Sequence, residues 1–173
     1  MSGSSPISEC ELVLHLGSDI REVDATKKLC WDERIARLFA CDCAAHVLSI
    51  FEGWRPNNKY PRNAVEVARR YAKGQASTDE MQRAWSDARD TASSTKYKDS
   101  AYTDFIAYCA ARAASDCAAA DVEWGERSAT FAAAARSGAT RDKKGTTVNQ
   151  SLAWISERAY QTGRLMKYLD GVA

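Results

Sequence analysis

The sequence predicts an all-α fold, a single-domain bundle of six to eight helices with an alanine-rich helix pair at its centre. Three observations carry this. Capping-box patterns, in which a Ser or Thr is followed three residues later by Glu or Gln, recur at Ser8–Glu11, Ser77–Glu80 and Thr147–Gln150. No segment of useful length alternates apolar and polar residues with the period of two that a half-buried strand requires. From Ala101 to Ala135, 14 of 35 residues are alanine, the strongest helix former. At 173 residues the chain is long enough to bury a real core.

Each element follows in order. Ser8 opens a short helix that Gly17 stops, and Ser18 opens a second reaching toward Cys30, so residues 1–30 read as N-terminal short helices. Asp32 precedes a long helix running to about Glu52, and the turn from Gly53 to Asn58 ends it. Pro61 suits the first position of the next helix, which Gly74 closes. Ser77 caps a helix to about Thr91, after which Ala92–Ser100 reads as a break. Residues 31–92 form one unit by these criteria and residues 93–140 hold the alanine-rich helices, bent or interrupted at Gly125. Tyr102, Phe105, Ile106, Tyr108, Trp124 and Phe131 supply that region with a packing face, so it is not low-complexity coil. A polar loop from Ser137 leads to a C-terminal helix within residues 146–171, entered at Thr147 and leaving at about Asp170.

Composition excludes several classes of function. Lys and Arg number 24 against 23 Asp and Glu, for a net charge of +1, which disfavours both an obligate DNA binder and an acidic nucleic-acid mimic. The charge is uneven: residues 1–50, 51–98 and 99–173 carry −3, +4 and 0, a polarity that can orient a protein partner. No apolar run approaches the ~20 residues that span a bilayer, and the N-terminus lacks the basic and apolar regions of a secretory signal. A cytoplasmic protein with reduced Cys10, Cys30, Cys41, Cys43, Cys109 and Cys117 is therefore expected.

The stretch Ala40–Glu52, ACDCAAHVLSIFE, concentrates chemistry-bearing side chains. At 100° per residue, Ile35, Leu38, Phe39 and Ile50 define an apolar face, and Glu33, Arg34, Arg37 and Glu52 gather opposite. Asp42 and His46, at i and i+4, fall within that apolar sector. A carboxylate facing a core must be paired, so the two are expected to form a buried polar node, with Asp42 reaching a backbone end or an arginine such as Arg62. A metal site is the sharper alternative. Cys41 and Cys43 differ by about 200° on a helix and cannot clamp one ion. Cys43 and His46 can share a site only with further ligands, such as Cys109 or Cys117, and no second Cys/His pair has ligand spacing. A catalytic use of Asp42, His46 and a cysteine finds no oxyanion nest or nucleophile elbow beside it. His15, among leucines, reads as a helix-edge residue. The expectation is therefore no metal, no cofactor and no catalytic residue, with small thiols as core filler.

Lys59, Arg62, Arg69, Arg70 and Lys73, with Tyr60 and Tyr71 among them, form a basic stripe. It admits a nucleic-acid reading through phosphate contacts and stacking, set against an ordinary solvated helix face with Ala64, Val65, Ala68 and Tyr71 packed inward. The neutral chain favours the second.

The pattern Cys41-Asp42-Cys43-Ala44, His46-Val47-Leu48 and Phe51, continued by Pro61-Arg62-Asn63-Ala64, Ala68-Arg69, Tyr71-Ala72 and Gly74, resembles a family of bacterial immunity proteins linked to polymorphic toxin systems. The resemblance is strongest over residues 31–92. It implies an all-helical, non-catalytic protein that binds and neutralises a toxic effector by stoichiometric contact. Exposed aromatics and arginines are favoured at such contacts, which makes Trp54, Arg55, Lys59 and Tyr60 the first candidates, with Arg62, Arg69 and Arg70 beside them. An inhibitor of a host defence complex, in the manner of anti-CRISPR proteins, is the alternative protein-binding function. The sequence leaves open whether the alanine-rich helices also form a homodimer seam.

Overall fold

The computed structural model describes residues 33–95, 102–119, 123–139 and 150–169. Among them are six helices and no strand: α1 (Glu33–Trp54), α2 (Tyr60–Ala72), α3 (Thr78–Thr95), α4 (Tyr102–Cys117), α5 (Glu123–Ala139) and α6 (Gln150–Leu169). The all-α prediction is borne out, and six helices fall within the expected range. The N-terminal helices expected over residues 1–30, His15, the caps at Asp32 and Thr147 and most of the polar loop before α6 lie outside the described residues.

The alanine-rich pair is central, as predicted. α4 packs against α1, α2, α3 and α5. Its Ala107, Cys109, Ala110, Ala111, Ala113 and Ala114 are all buried, and α5 answers with Ala129, Ala132, Ala133 and Ala135. Side chains this small set a short distance between helix axes. Those alanine faces are buried between helices of the same chain. α6 packs on α5 and, over less surface, on α1.

Local signals account for the helix ends. Pro61 stands in the first turn of α2, where its missing N–H costs nothing. Beyond the other end, Gly74 takes φ +70, the only positive φ among the described residues. This lets the Gly74 N–H reach the Tyr71 carbonyl at 2.9 Å and the Gln75 N–H the Arg70 carbonyl at 2.8 Å. Ser77 Oγ accepts the Glu80 N–H at 3.2 Å, the predicted cap of α3.

Three sequence expectations give way. The break expected from Ala92 begins later, because α3 continues to Thr95. Ser94 and Thr95 turn their hydroxyls back onto the Thr91 carbonyl at 2.8 and 2.7 Å, so they bond within the helix instead of competing with it. Gly125 lies inside α5; the alanine-rich stretch is instead interrupted after Cys117, where Ala118 and Ala119 turn back onto the Ser115 and Asp116 carbonyls. The buried face of α1 is also not the one its large aliphatic residues mark. Ala36, Arg37, Phe39, Ala40, Cys41, Cys43, Ala44, Val47, Leu48 and Phe51 are buried, a sector centred about 140° from Ile35. Ile35, Leu38 and Ile50 are only half-buried. Small Ala and Cys side chains share the deep face with Phe39, Val47, Leu48 and Phe51, and they let α4 and α5 approach it closely.

Arg37 is the clearest consequence. Placed by pattern on the solvent side, it is 6 % exposed. Its Nη1 donates to the Ala119 carbonyl at 2.6 Å and the Cys117 carbonyl at 3.4 Å, capping the end of α4, and its Nη2 donates to Glu33 at 2.9 Å. A cation suits the negative end of a helix dipole.

Candidate functional site

Asp42 projects from α1 into the seam with α6. Arg69 of α2 donates to its Oδ1 at 2.9 Å. Arg164 of α6 donates to Oδ2 from Nε at 2.9 Å and also from Nη2. The Tyr168 hydroxyl completes the set at 2.7 Å. The arginines that satisfy Asp42 are thus Arg69 and Arg164, whereas Arg62 is held by both carboxylate oxygens of Glu52 at 2.5 and 2.6 Å. Burial, reinforced by the bond to Asp42, raises the Tyr168 phenol well above its ordinary range, so it stays a donor.

His46 is on the same seam but does not pair with Asp42. Its Nδ1 donates to Glu157 Oε2 at 2.7 Å, and its ring stacks on Tyr160 with centroids 3.7 Å apart and 19° between planes. Glu157 is fully buried and also accepts from Gln161 Nε2 at 3.2 Å; the same Nε2 reaches the Ala129 carbonyl at 2.9 Å. Arg158, over the Trp154 ring at 5.3 Å, donates to Gln161 Oε1 at 3.0 Å. The expected single node is therefore two carboxylate-centred clusters, one turn apart. Sequence reasoning missed their α6 half. Glu157, Gln161, Arg164 and Tyr168 recur at helical spacing on one face, and a polar stripe of that kind is a legible signal of a helix docked by hydrogen bonds.

Cys41, Cys43, Cys109 and Cys117 are buried with free thiols. Burial, with Glu157 and Asp42 nearby, pushes the Cys43 thiol well above its usual value. Burial lifts Cys109 to about 12 and Cys117 well above its usual value, the latter helped by a bond with Cys41. A protonated thiol is neither nucleophile nor metal ligand. No group of three His, Cys, Asp or Glu side chains among the described residues has the geometry to hold a metal ion. No helix among them is long and apolar enough to cross a membrane.

A second buried acid lies where α4 ends. Asp116 meets Arg112 at 3.0 Å, with Arg127 of α5 at 4.0 Å. Its Oδ2 and Arg112 Nε have no hydrogen-bond partner. Burial outweighs these cations and raises the Asp116 carboxyl to about 6.

The predicted contact residues divide into two groups. Trp54, Arg55, Lys59 and Tyr60 come together at the α1–α2 turn. Trp54 packs on the core while its ring carries the Arg55 guanidinium at 4.2 Å. Tyr60 is 52 % exposed, one of two large hydrophobic side chains so exposed among the described residues. Arg62 follows one helical position past Pro61, bound to Glu52. Arg69 and Arg70 lie at the far end of α2, paired with Asp42 and, at 2.7 Å, with Glu80. The basic stripe is thus largely neutralised within the chain, and its inward side packs as expected, with Ala64, Val65, Val67 and Ala68 buried and Tyr71 half-buried.

No curated protein and no solved structure shows significant similarity to the chain. The family profile described as Imm-5 like putative immunity protein matches residues 32–162, from the start of α1 to within α6. That span holds five of the six helices entire, the α1–α2 turn and the Glu157 cluster of the α1–α6 seam, and ends before Arg164 and Tyr168. The chain belongs to this Imm-5 like immunity protein family.

Proposed function

We infer that the protein is a non-catalytic inhibitor that binds a toxic effector protein in a stoichiometric complex and blocks it. The observation that carries this is family membership over residues 32–162. Side-chain chemistry supports it. The acids and histidine that a catalyst would use are engaged with one another: Asp42 by two arginines and a tyrosine, His46 by Glu157. The four described thiols are buried, and burial pushes those of Cys43, Cys109 and Cys117 up. The contact surface is the α1–α2 turn with Trp54, Arg55, Lys59 and Tyr60, where exposed aromatic and cationic groups sit on a firmly tied segment. Inhibition proceeds in the cytoplasm by occlusion of an active site or an assembly surface.

The test is capture of the tagged protein from nuclease-treated native lysate, identification of the partner, and co-expression. An equimolar partner that arrests growth when expressed alone, and is tolerated with this protein, is the expected result. A partner that is harmless alone, or capture that disappears with nuclease treatment, sinks the reading.

A further inference from the structure

Positive charge on this molecule is free mainly where it has not been matched. Along α2, Arg62 is taken by Glu52, Arg69 by Asp42 and Arg70 by Glu80. At the α1–α2 turn the situation reverses. Arg55 and Lys59 border a shallow depression of about 580 Å³, whose remaining lining is Pro56, Asn57, Asn58 and Tyr60, with no carboxylate. The nearest acid in sequence, Glu52, is already gripped by both donors of Arg62. Lys59 acts on it only through space, contributing to its lowered pKa after the Arg62 hydrogen bond.

The turn is also preformed. The Arg55 N–H bonds the Phe51 carbonyl at 2.8 Å, and the Asn58 N–H bonds the Arg55 carbonyl at 3.1 Å. The Tyr60 N–H is held by Asn58 Oδ1 at 3.1 Å, and Pro61 follows at the start of α2. Stacking on Trp54 holds the Arg55 guanidinium in place. A ligand that binds here orders little, which favours affinity for a given contact area. An anionic group placed between Arg55 and Lys59 meets two cations that have no competing acid, and an adjacent apolar or aromatic group finds the exposed ring of Tyr60.

We propose that this depression receives an acidic segment of the effector, an Asp or Glu side chain between Arg55 and Lys59 with a neighbouring side chain laid on Tyr60. This rests on the inhibitor reading above and adds the chemistry of its contact. A carboxylate on a protein fits better than a nucleic-acid backbone. The cations at this depression are two and local, whereas phosphate tracking uses a continuous basic groove, and along α2 Arg62, Arg69 and Arg70 are spent on Glu52, Asp42 and Glu80.

The full-length protein, isotopically labelled for amide and indole NMR, is titrated with a random glutamate–tyrosine copolymer, a lysine–tyrosine copolymer and oligothymidylate. The glutamate–tyrosine copolymer is expected to shift the Trp54 indole and the amides of residues 54–60. Arg55→Ala with Lys59→Ala is expected to weaken it about tenfold or more, while Arg83→Ala with Arg136→Ala, which removes equal charge elsewhere, leaves it unchanged. Lys59→Glu, at an exposed position, guards against loss of binding by unfolding and should also lose the copolymer. Shifts that avoid the turn, or oligothymidylate binding more tightly than the acidic copolymer, overturn the proposal. So does an Arg55→Ala/Lys59→Ala protein that still neutralises its effector, an outcome that leaves the inhibitor reading standing. Conversely, copolymer binding at the turn by a protein that neutralises no effector retains the acidic-ligand pocket and removes the inhibitor reading.

Discussion

Asp116 shows how a single buried side chain writes itself into the stability of the whole chain. Its carboxyl titrates at about 6 in the folded protein, raised from 3.8 by burial against the opposing pull of Arg112 and Arg127. The folded state therefore binds this proton more readily than the unfolded state between those values. The contribution is fully present below about pH 4 and is lost as pH rises through about 6. Asp116→Asn removes that dependence. Stability measured by urea denaturation as wild type minus Asp116→Asn is expected to fall between pH 4 and 7 by on the order of 2 kcal/mol. A difference that stays flat or rises over that range would show that Asp116 is ionised throughout. Arg37 makes the complementary point. One guanidinium caps the α4 terminus, stacks 5.2 Å from the Tyr71 ring centroid and pairs with Glu33, although its neighbours in sequence give no hint that it is buried.

At the scale of elements, α6 is held differently from the rest. α4 is set into a bed of alanine and cysteine, whereas α6 among its described residues buries Glu157, Gln161 and a single apolar side chain, Leu165. Its docking combines packing on α5 with the two carboxylate clusters shared with α1. Those bonds reach across 111 to 126 positions of sequence, and the Asp42 cluster is partly open to water, with Arg164 28 % and Arg69 40 % exposed. Solvent screening therefore limits its worth to about 1–2 kcal/mol. Elements held this way open locally before the core does. Asp42→Asn should speed hydrogen exchange of α6 amides about tenfold while leaving residues 107–117 of α4 protected, and the difference should shrink at high salt. Equal loss of protection in α4 and α6 would mean that Asp42 supports the whole bundle and not one helix.

For the molecule as a whole, the core is built from small residues and closed over its thiols. Cys41, Cys43 and Cys109 are 0 % exposed and Cys117 2 %. Their alkylation by N-ethylmaleimide at pH 8 is expected to be slower by a factor of about one hundred or more than in urea, with peptide mapping to separate them from Cys10 and Cys30. Fast labelling of any of the four in the folded chain would contradict a close-packed α1–α4–α5 interior. This construction also explains the distribution of charge. The periphery is joined by ion pairs, which hold Arg62, Arg69 and Arg70 within the chain, whereas Arg55 and Lys59 border a depression lined by no carboxylate.

The helical class, both ends of α2, the start of α3 and the family were legible in the sequence because they rest on local chemistry. Capping hydroxyls, a proline in a first turn, a glycine at positive φ and the propensity of alanine act over a few residues and mean the same thing in most contexts. The turn at Trp54–Tyr60, rich in aromatic and basic groups, was equally open to inspection. Tertiary structure alone decided the rest. It turned the face of α1 bearing Ala40, Cys43, Ala44, Val47 and Phe51 inward and left Ile35, Leu38 and Ile50 half-buried, because burial depends on where neighbours pack as well as on side-chain size. It divided Asp42 and His46 between separate partners on α6, because an acid takes whichever donors the packing delivers. By matching Arg62 and Arg69 to acids of α1 and Arg70 to an acid of α3, it settled which cations along α2 are held within the chain.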